Sequence, residues 1–262
     1  EIAGVGSLYV QPAMDDAGCA LGAALQVVAQ EQGTDSLSRG LLRCVYKGPE
    51  YDEASMEEAL QKSGLSYSKP QILEDDLAEM LHAGKIIGRY TGGLEWGPRA
   101  LGNRSILIRP TDKSINDTLN KRLNRTEFMP FAPSILAERA ADYLVGYRDS
   151  DEAARFMTLT YAIRRERRDE IAAAVHVDGT ARPQVVLCED NPSLHGIISA
   201  YHRLSGIAAV VNTSFNMHEE PIVDTPDDAI RAFRAGAVDV LSMGPFVAEV
   251  TGGGAKLQAQ RA

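Results

Sequence analysis

The 262-residue sequence has few cysteines and no long apolar run, and these two absences restrict its cellular context. Cys19, Cys44 and Cys188 are odd in number and far apart, so we expect reduced core thiols rather than disulfides or zinc ligands. No apolar stretch approaches the ~20 residues that cross a bilayer. The sequence therefore predicts a cytoplasmic protein with no membrane partner. Its start at Glu1 rather than Met fits a fragment or a processed chain.

The sequence also lacks the basic excess typical of proteins that bind nucleic acids. Its 27 Lys and Arg residues face 36 Asp and Glu residues, a net charge of −9, which predicts no nucleic-acid partner. Basic residues nevertheless cluster between Arg99 and Arg125, with few acidic residues among them. A cationic stretch inside an acidic protein predicts a local pocket for an anionic ligand.

Several familiar catalytic signatures are missing as well. No Gly-Lys-Ser or Gly-Lys-Thr ends a phosphate-binding loop, and the five histidines show no metal-ligand spacing. No Ser–His–Asp arrangement and no general base can be identified. These absences favour chemistry driven by positioning and charge neutralisation, as in phosphoryl or nucleotidyl transfer.

The glycine-rich stretch 92–109 is the feature around which the chain is organised. It contains four glycines, Pro98 and three arginines, at 99, 104 and 109. Glycines allow backbone N–H groups to point inward, and arginines stay cationic, so we expect a phosphate-binding loop. A plain glycine-rich turn with surface arginines is the alternative.

Three further segments carry polar side chains where loops should leave strands or helices. In 176–182, Thr180 and Arg182 can both reach an anion, although Asp178-Gly179 also fits a plain β-turn. In 210–216, an apolar strand runs into a polar cluster that fits a ligand site at a strand end, or else a helix cap. The third segment, 120–131, contains Lys121, Arg122 and Arg125 and fits a pocket wall or a charged helix C-terminus.

The alternation of strands and helices predicts an α/β or α+β fold with a twisted mixed sheet. We also expect a strand over 7–12, a strand over 156–162 and an amphipathic helix over 164–174. The boundary between two packed units is predicted near residue 50.

Five motifs occur in the same order as in a known enzyme family. They are Glu95–Ser105, Phe128–Pro133, His176–Arg182, Asn212–Asn216 with Glu220-Pro-Ile, and Thr225–Ala229. Over roughly residues 5–250 the chain resembles the O-carbamoyltransferases of nodulation-factor and antibiotic biosynthesis. These enzymes have an N-terminal actin/hexokinase-like metal-binding domain and a C-terminal YrdC-like domain. The YrdC-like domain makes carbamoyl adenylate from carbamoyl phosphate and ATP, and the other domain transfers the carbamoyl group to a hydroxyl of an acceptor.

The resemblance implies a domain arrangement and a set of partners. Residues 1–50 would be the C-terminal strand and helix of the actin/hexokinase-like domain, residues 51–250 the YrdC-like carbamoyl-adenylate-forming domain, and 251–262 a disordered tail. The expected partners are carbamoyl phosphate, ATP, a small-molecule hydroxyl acceptor and the N-terminal domain of the same enzyme, and a homodimer is a possible assembly.

The resemblance also implies roles for individual residues. Arg99, Arg182 and Ser214 correspond to ligands of carbamoyl phosphate with catalytic roles. The remaining predicted substrate- or nucleotide-binding residues are Arg104, Ser105, Asn124, Arg125, Thr180, Asn212, Thr213 and Asn216. Asn124 stands where many members have lysine, so either Arg125 supplies that charge or activity on carbamoyl phosphate is altered.

The resemblance further implies Mg²⁺ with the ATP and Fe²⁺ in the N-terminal domain. Asp16 falls at an aspartate ligand to iron, but the two histidine ligands, spaced HxxxH, are not in this chain. Iron binding would therefore need the N-terminal domain, and Asp16 alone also fits a helix N-cap.

Two other functions stay open from the sequence. One is a relative that makes threonylcarbamoyl adenylate for tRNA modification. The other is a nucleotide-binding module without catalytic activity.

Overall fold

A computed structural model describes residues 8–37, 42, 44–123 and 131–250. Within these ranges the α-helices are α1 (Asp16–Gln32), α2 (Glu53–Ser63), α3 (Leu73–His82), α4 (Ile115–Arg122), α5 (Ala140–Tyr143), α6 (Pro192–Ser205) and α7 (Pro226–Arg234). The strands are β1 (Ile87–Tyr90), β2 (Arg104–Ile108), β3 (Ala132–Leu136), β4 (Tyr161–Ala162), β5 (Thr180–Ala181), β6 (Gln184–Val186), β7 (Ala209–Ser214), β8 (Val240–Met243) and β9 (Phe246–Glu249).

A seven-stranded mixed sheet is the centre of the fold. Its strand order is β6-β3-β7-β2-β1-β8-β9. The pairs β3/β6 and β1/β8 are parallel, and the other neighbours are antiparallel. The short strands β4 and β5 form a separate antiparallel pair. The expected mixed sheet with flanking helices is confirmed.

Helices cover both faces of this sheet. On one face, α3 and α6 contribute residues such as Leu81 and Ile197 to a buried cluster with Leu107 of β2. On the other face, α2, α4 and α7 join a second cluster that includes Ile106. Because side chains alternate along a strand, neighbouring residues of β2 enter opposite clusters. Both faces of the sheet are therefore buried under packed side chains, which explains the apolar character of the central strands.

Two sequence predictions of local structure are wrong. Only Tyr161–Ala162 of the expected strand 156–162 is a strand, because residues 152–156 form a 3₁₀ helix packed into the core. The expected helix 164–174 is instead two 3₁₀ turns, 165–167 and 172–174. The Ala173 N–H donates to the Pro110 carbonyl (2.9 Å), so a tertiary contact replaces a helical hydrogen bond.

The N-terminal helix α1 stands apart from both clusters. None of its residues is buried, and Leu21, Leu25 and Val27 are 44%, 43% and 50% exposed. Its N-cap is Asp15, which accepts from the Ala17 N–H, rather than Asp16. The described residues 8–12 form no strand, contrary to expectation.

The surroundings of the cysteines differ from the prediction. All three cysteines are exposed and unpaired, so the expectation of core thiols is wrong.

Across the described ranges, every helix is too short or too polar to span a bilayer.

Candidate anion-binding site

The Glu95 carboxylate organises the glycine-rich loop. Its Oε1 atom accepts the N–H groups of Leu101 (2.7 Å), Asn103 (2.8 Å) and Arg104 (3.2 Å). The Gly102 N–H donates to Ser105 Oγ at 2.9 Å. The backbone N–H groups of residues 101–104 therefore already donate to acceptors within the protein. From the sequence, we expected N–H groups of this loop to donate to a bound phosphate instead.

Burial gives this carboxylate an unusual environment. Glu95 is 6% exposed, and burial raises its pKa, although the backbone donors oppose the shift. Sequence reasoning did not single out Glu95. A lone acidic residue among glycines and arginines was the available signal, since a buried carboxylate needs such donors.

Other hydrogen bonds fix the loop to its surroundings. Tyr46 Oη donates to the Leu101 carbonyl (3.0 Å), and Tyr46 also forms an isolated bridge with Glu95. The buried Arg89 donates from Nε to the Gly102 carbonyl (2.7 Å), and burial lowers the pKa of Arg89 to about 10. Residues on both sides of position 50 therefore hold this loop, and the domain boundary stays a prediction.

At two positions of this loop, neighbouring atoms lie so close to the backbone that only glycine fits. Gly97 has φ +115°, and a Cβ there would lie 2.8 Å from the Pro12 carbonyl oxygen. Gly102 has φ +117°, and a Cβ there would lie 2.6 Å from Leu194 Cδ2. Any side chain at either position would clash and strain the backbone. The loop can therefore pack directly on segment 12–13 and on α6.

Three of the arginines expected near this loop, Arg104, Arg109 and Arg122, have partners within the protein. Arg104 is fully buried, lies 3.9 Å from the Tyr90 ring centroid, and donates to the carbonyls of Pro49, Thr91 and Asn103. Arg109 approaches Asp112 (3.7 Å), and Arg122 pairs with Asp239 (2.7 Å). These contacts anchor the Arg104 guanidinium in the fold, and the binding role expected for Arg104 stays a prediction.

Arg99 and Arg182 differ from these arginines. Both are half-buried, and the Nε atom of each has no partner among the described residues, as is also true of Arg104 Nε. Neither forms a salt bridge or hydrogen bond within that part of the chain.

The guanidinium groups of Arg99 and Arg182 interact electrostatically. Burial lowers the pKa of Arg99, and the Asp15 carboxylate partly opposes this. Burial also lowers the pKa of Arg182, and the positive charge of Arg99 lowers it further. Two neighbouring cations with little compensating charge are an arrangement that an anion stabilises.

In the turn that precedes Arg182, Thr180 forms hydrogen bonds within the turn itself. The Thr180 N–H and hydroxyl both donate to Asp178 Oδ1, at 2.9 and 2.7 Å. His176 Nδ1 lies 3.0 Å from Thr180 Oγ1. The hydrogen bonds of Thr180 and His176 are thus those of the β-turn that the sequence offered as an alternative. They do not involve the Arg182 side chain.

Strand pairing brings together some of the predicted serine and amide ligands. Ser105 of β2 and Ser214 of β7 are directly paired across the two strands. Strand alternation puts Asn212 on the same face of β7 as Ser214 and Thr213 on the opposite face. Ser214 Oγ donates to Asn216 Oδ1 (2.6 Å), so Asn216 orients this hydroxyl. The structure therefore groups Ser105, Asn212 and Ser214 and separates Thr213 from them.

The remaining predicted ligands fall outside this group. Asn124 and Arg125 lie outside the described residues. Asp16 is exposed in the first turn of α1, and no set of three or more His, Cys, Asp or Glu side chains in the described ranges could hold a metal. The described residues by themselves do not fit an iron site, and Asp16 as a ligand completed by an N-terminal domain stays a prediction.

A separate cavity of about 490 Å³ has the opposite electrostatic character. Its lining includes the carboxylates of Glu138, Asp149, Asp151, Glu152 and Glu189, together with His195 and with Arg155, whose guanidinium pairs with Glu152 and Asp190. Carboxylates repel phosphate, so this cavity is unsuited to the anion that Arg99 and Arg182 would bind.

Comparison with known proteins places the chain in a family. "Uncharacterized protein MJ1058" of Methanocaldococcus jannaschii is 38% identical over 245 residues, 89% of this chain and 39% of that protein. "Nodulation protein NolNO" of Sinorhizobium fredii is 38% identical over 244 residues, 92% of this chain and 35% of that protein. The chain thus spans well under half the length of these two relatives.

A weaker likeness is to the crystal structure of full-length HypF in its phosphate- and nucleotide-bound form. It covers 68% of this chain and 22% of that one, with a TM-score of 0.46 and 18% identity. The family match is direct, since residues 78–249 fit the family described as "Carbamoyltransferase C-terminus". The chain belongs to this carbamoyltransferase family, of whose members it represents the C-terminal part.

Proposed function

We propose that this chain forms carbamoyl adenylate from carbamoyl phosphate and ATP, as the adenylate-forming part of an O-carbamoyltransferase. The observation that carries the proposal is the pair of half-buried guanidinium groups of Arg99 and Arg182, which lack partners among the described residues. Membership of the carbamoyltransferase family supports the identity of the anion.

The charges of the pair suit carbamoyl phosphate. Its phosphate carries up to two negative charges, which two guanidinium groups neutralise. Each charge-assisted hydrogen bond contributes about 1.5–3 kcal/mol, more than a neutral one. The Ser214 hydroxyl can rotate its hydrogen from Asn216 Oδ1 toward a phosphate oxygen, which adds a third contact.

The proposed reaction has two steps. Water first cleaves carbamoyl phosphate into carbamate and inorganic phosphate. A carbamate oxygen then attacks the α-phosphorus of ATP, a new P–O bond forms, and the bond to the departing pyrophosphate breaks. Arg99 and Arg182 stabilise negative charge on the transferring groups, which is an electrostatic role. Magnesium carried on ATP would neutralise the triphosphate, and no described residue is assigned to it.

Transfer of the carbamoyl group to a hydroxyl acceptor is the second part of the proposal. It would take place in an N-terminal domain like the one implied by the resemblance, with residues 1–50 as that domain's last part. The exposed apolar residues of α1 support this assignment, because an apolar helix face is normally covered. A cytoplasmic location, where carbamoyl phosphate and ATP are both available, belongs to the same proposal.

The test is ATP–pyrophosphate exchange that depends on carbamoyl phosphate. We expect Arg182→Ala and Arg99→Ala to lose this exchange. Arg203→Ala is the matched control, because Arg203 pairs with Asp75 on the surface (2.6 Å) and should leave the exchange unchanged. Undiminished exchange in Arg182→Ala, or none with the wild type, would contradict the proposal.

A further inference from the structure

The guanidinium group of Arg168 packs against the turn that precedes Arg182. Gly179 lies in this turn with φ +82°, and a Cβ atom at that position would lie 2.5 Å from Arg168 Nη2 and 2.6 Å from Arg168 Cζ. The partly buried Arg168 side chain therefore fills the space that a side chain at position 179 would need. Glycine at 179 permits both the positive φ and this close approach.

Two hydrogen bonds through Ile163 hold this arrangement in place. Arg168 Nε donates to the Ile163 carbonyl (3.1 Å), and the Ile163 N–H donates to the Gly179 carbonyl (3.0 Å). Ile163 is 1% exposed and belongs to the buried cluster that includes Leu107 of β2. The turn is therefore bonded to a core residue and covered by the Arg168 guanidinium.

The chain runs from this turn through β5 to Arg182. Strand β5 forms two residue pairs with β4, and so short a pairing is weak by itself. Beyond Arg182, Gln184 Nε2 donates to the Leu101 carbonyl of the glycine-rich loop (2.7 Å). Arg182 thus lies between two attachments, and its own Nε has no partner in the described part of the chain. The position of its guanidinium therefore depends on how firmly the backbone is held at both attachments.

Arg168 differs in its contacts from other arginines of the segment 164–168. Its neighbour Arg167 pairs with Glu170 (2.6 Å), and Arg165 is exposed in the preceding 3₁₀ turn. Positive charge is therefore common to the segment, whereas Arg168 is the residue whose guanidinium packs on the glycine of the turn. This contrast makes Arg165 a control for the effect of charge alone.

We propose that Arg168 is a positioning residue for the anion site, which holds Arg182 in place by covering Gly179. This inference rests on the proposed function and adds a residue that controls binding without touching the anion. The planar guanidinium covers the glycine while its Nε atom donates to the Ile163 carbonyl. A lysine at position 168 would keep the positive charge but has neither the flat group nor a donor at the Nε position.

The test measures the dissociation constant of carbamoyl phosphate by calorimetry in the 262-residue chain. We expect Arg168→Ala to bind about 10-fold more weakly than the wild type, because Arg182 no longer has a well-defined position. Arg168→Lys should bind about as weakly as Arg168→Ala. Arg165→Ala is the matched control: it removes the same charge from the same segment and should bind as the wild type does.

A double-mutant cycle separates positioning of Arg182 from a general loss of structure. If Arg168 acts through Arg182, adding Arg168→Ala to Arg182→Ala should cause no further loss of affinity. A general loosening of the fold would also disturb the contact of the anion with Arg99. The double variant would then bind more weakly than Arg182→Ala alone, and this result would overturn the inference.

The remaining outcomes separate this inference from the proposed function. Wild-type affinity in Arg168→Ala would overturn the inference while leaving the anion site in place. Wild-type affinity in Arg168→Lys would overturn it as well, because charge alone would then be sufficient. If the wild type does not bind carbamoyl phosphate, the proposed function fails and this inference fails with it. Arg168→Lys supplies the comparison if Arg168→Ala does not fold.

Discussion

Glu95 is the residue on which the shape of the glycine-rich loop depends. Its carboxylate accepts three backbone N–H groups and is 6% exposed. We expect Glu95→Ala to lower the free energy of unfolding by about 3 kcal/mol, because those donors lose their acceptor in a buried place. Glu95→Gln keeps an acceptor oxygen and should cost only about 1 kcal/mol. Denaturant unfolding of the two variants tests this, and equal losses would show that the hydrogen bonds are not the cause.

The residue types of the glycine-rich stretch predicted an anion site but did not separate Arg99 from Arg104, and only the family resemblance gave Arg99 the catalytic role. Arg99 and Arg104 look alike in a glycine-rich motif, yet Arg104 is fully buried and bonded to carbonyls, whereas Arg99 is half-buried without a described partner. The difference depends on contacts with Tyr90 and Pro49, which are distant in the sequence. Strand alternation would have separated Thr213 from Ser214 if the end of β7 had been placed correctly.

Helix α7 shows how well local signals can predict an element. Thr225 is its N-cap and Pro226 follows in the first turn, a residue pattern typical of helix starts. The Thr225 N–H donates to Asp228 Oδ2 (3.0 Å), and the Asp228 N–H donates to Thr225 Oγ1 (3.2 Å), which completes a capping box. By contrast, the expected helix over 164–174 fails because tertiary hydrogen bonds, such as Ala173 to Pro110, override its pattern.

The capping box should make stability depend on pH. Burial alone would raise the pKa of Asp228, but the Thr225 donors and the Arg231 guanidinium hold it below its usual range. A lowered folded-state pKa stabilises the protein above about pH 4, and this contribution is lost as the pH falls below that value. We expect Asp228→Asn to cost about 0.5–1 kcal/mol at pH 7, and the difference from wild type to shrink below pH 4.

Unfolding titrations at several pH values measure this effect. Asp227→Asn is the control, because Asp227 is an exposed acid in the same turn and outside the capping box. A pH-independent difference for Asp228→Asn would mean that its charge does not stabilise α7.

The protein as a whole combines a well-packed sheet with one uncovered helix. Two buried clusters fill the space between the sheet and its flanking helices, whereas α1 has no buried residue. The overall sheet type followed from the alternation of strands and helices, but the strand order did not, because it depends on long-range pairings such as β1 with β8.

If α1 belongs to a further domain, its protection should depend on the chain that precedes it. We expect the backbone amides of α1 to exchange with deuterium rapidly in the 262-residue chain. They should exchange much more slowly in a chain extended at its N-terminus to the length of the relatives. Helix α6, which is packed in the core, is the internal reference. Equal exchange of α1 in both chains would contradict its assignment to an N-terminal domain.

The direct test of the account is the binding of carbamoyl phosphate to Arg99 and Arg182, measured by calorimetry with the wild type and each alanine variant. Because each arginine should contribute about 1.5–3 kcal/mol, each variant is expected to bind about 10- to 100-fold more weakly. Arg203→Ala should bind as the wild type does. Unchanged affinity in both Arg99→Ala and Arg182→Ala would contradict the claim that these two residues form the anion site.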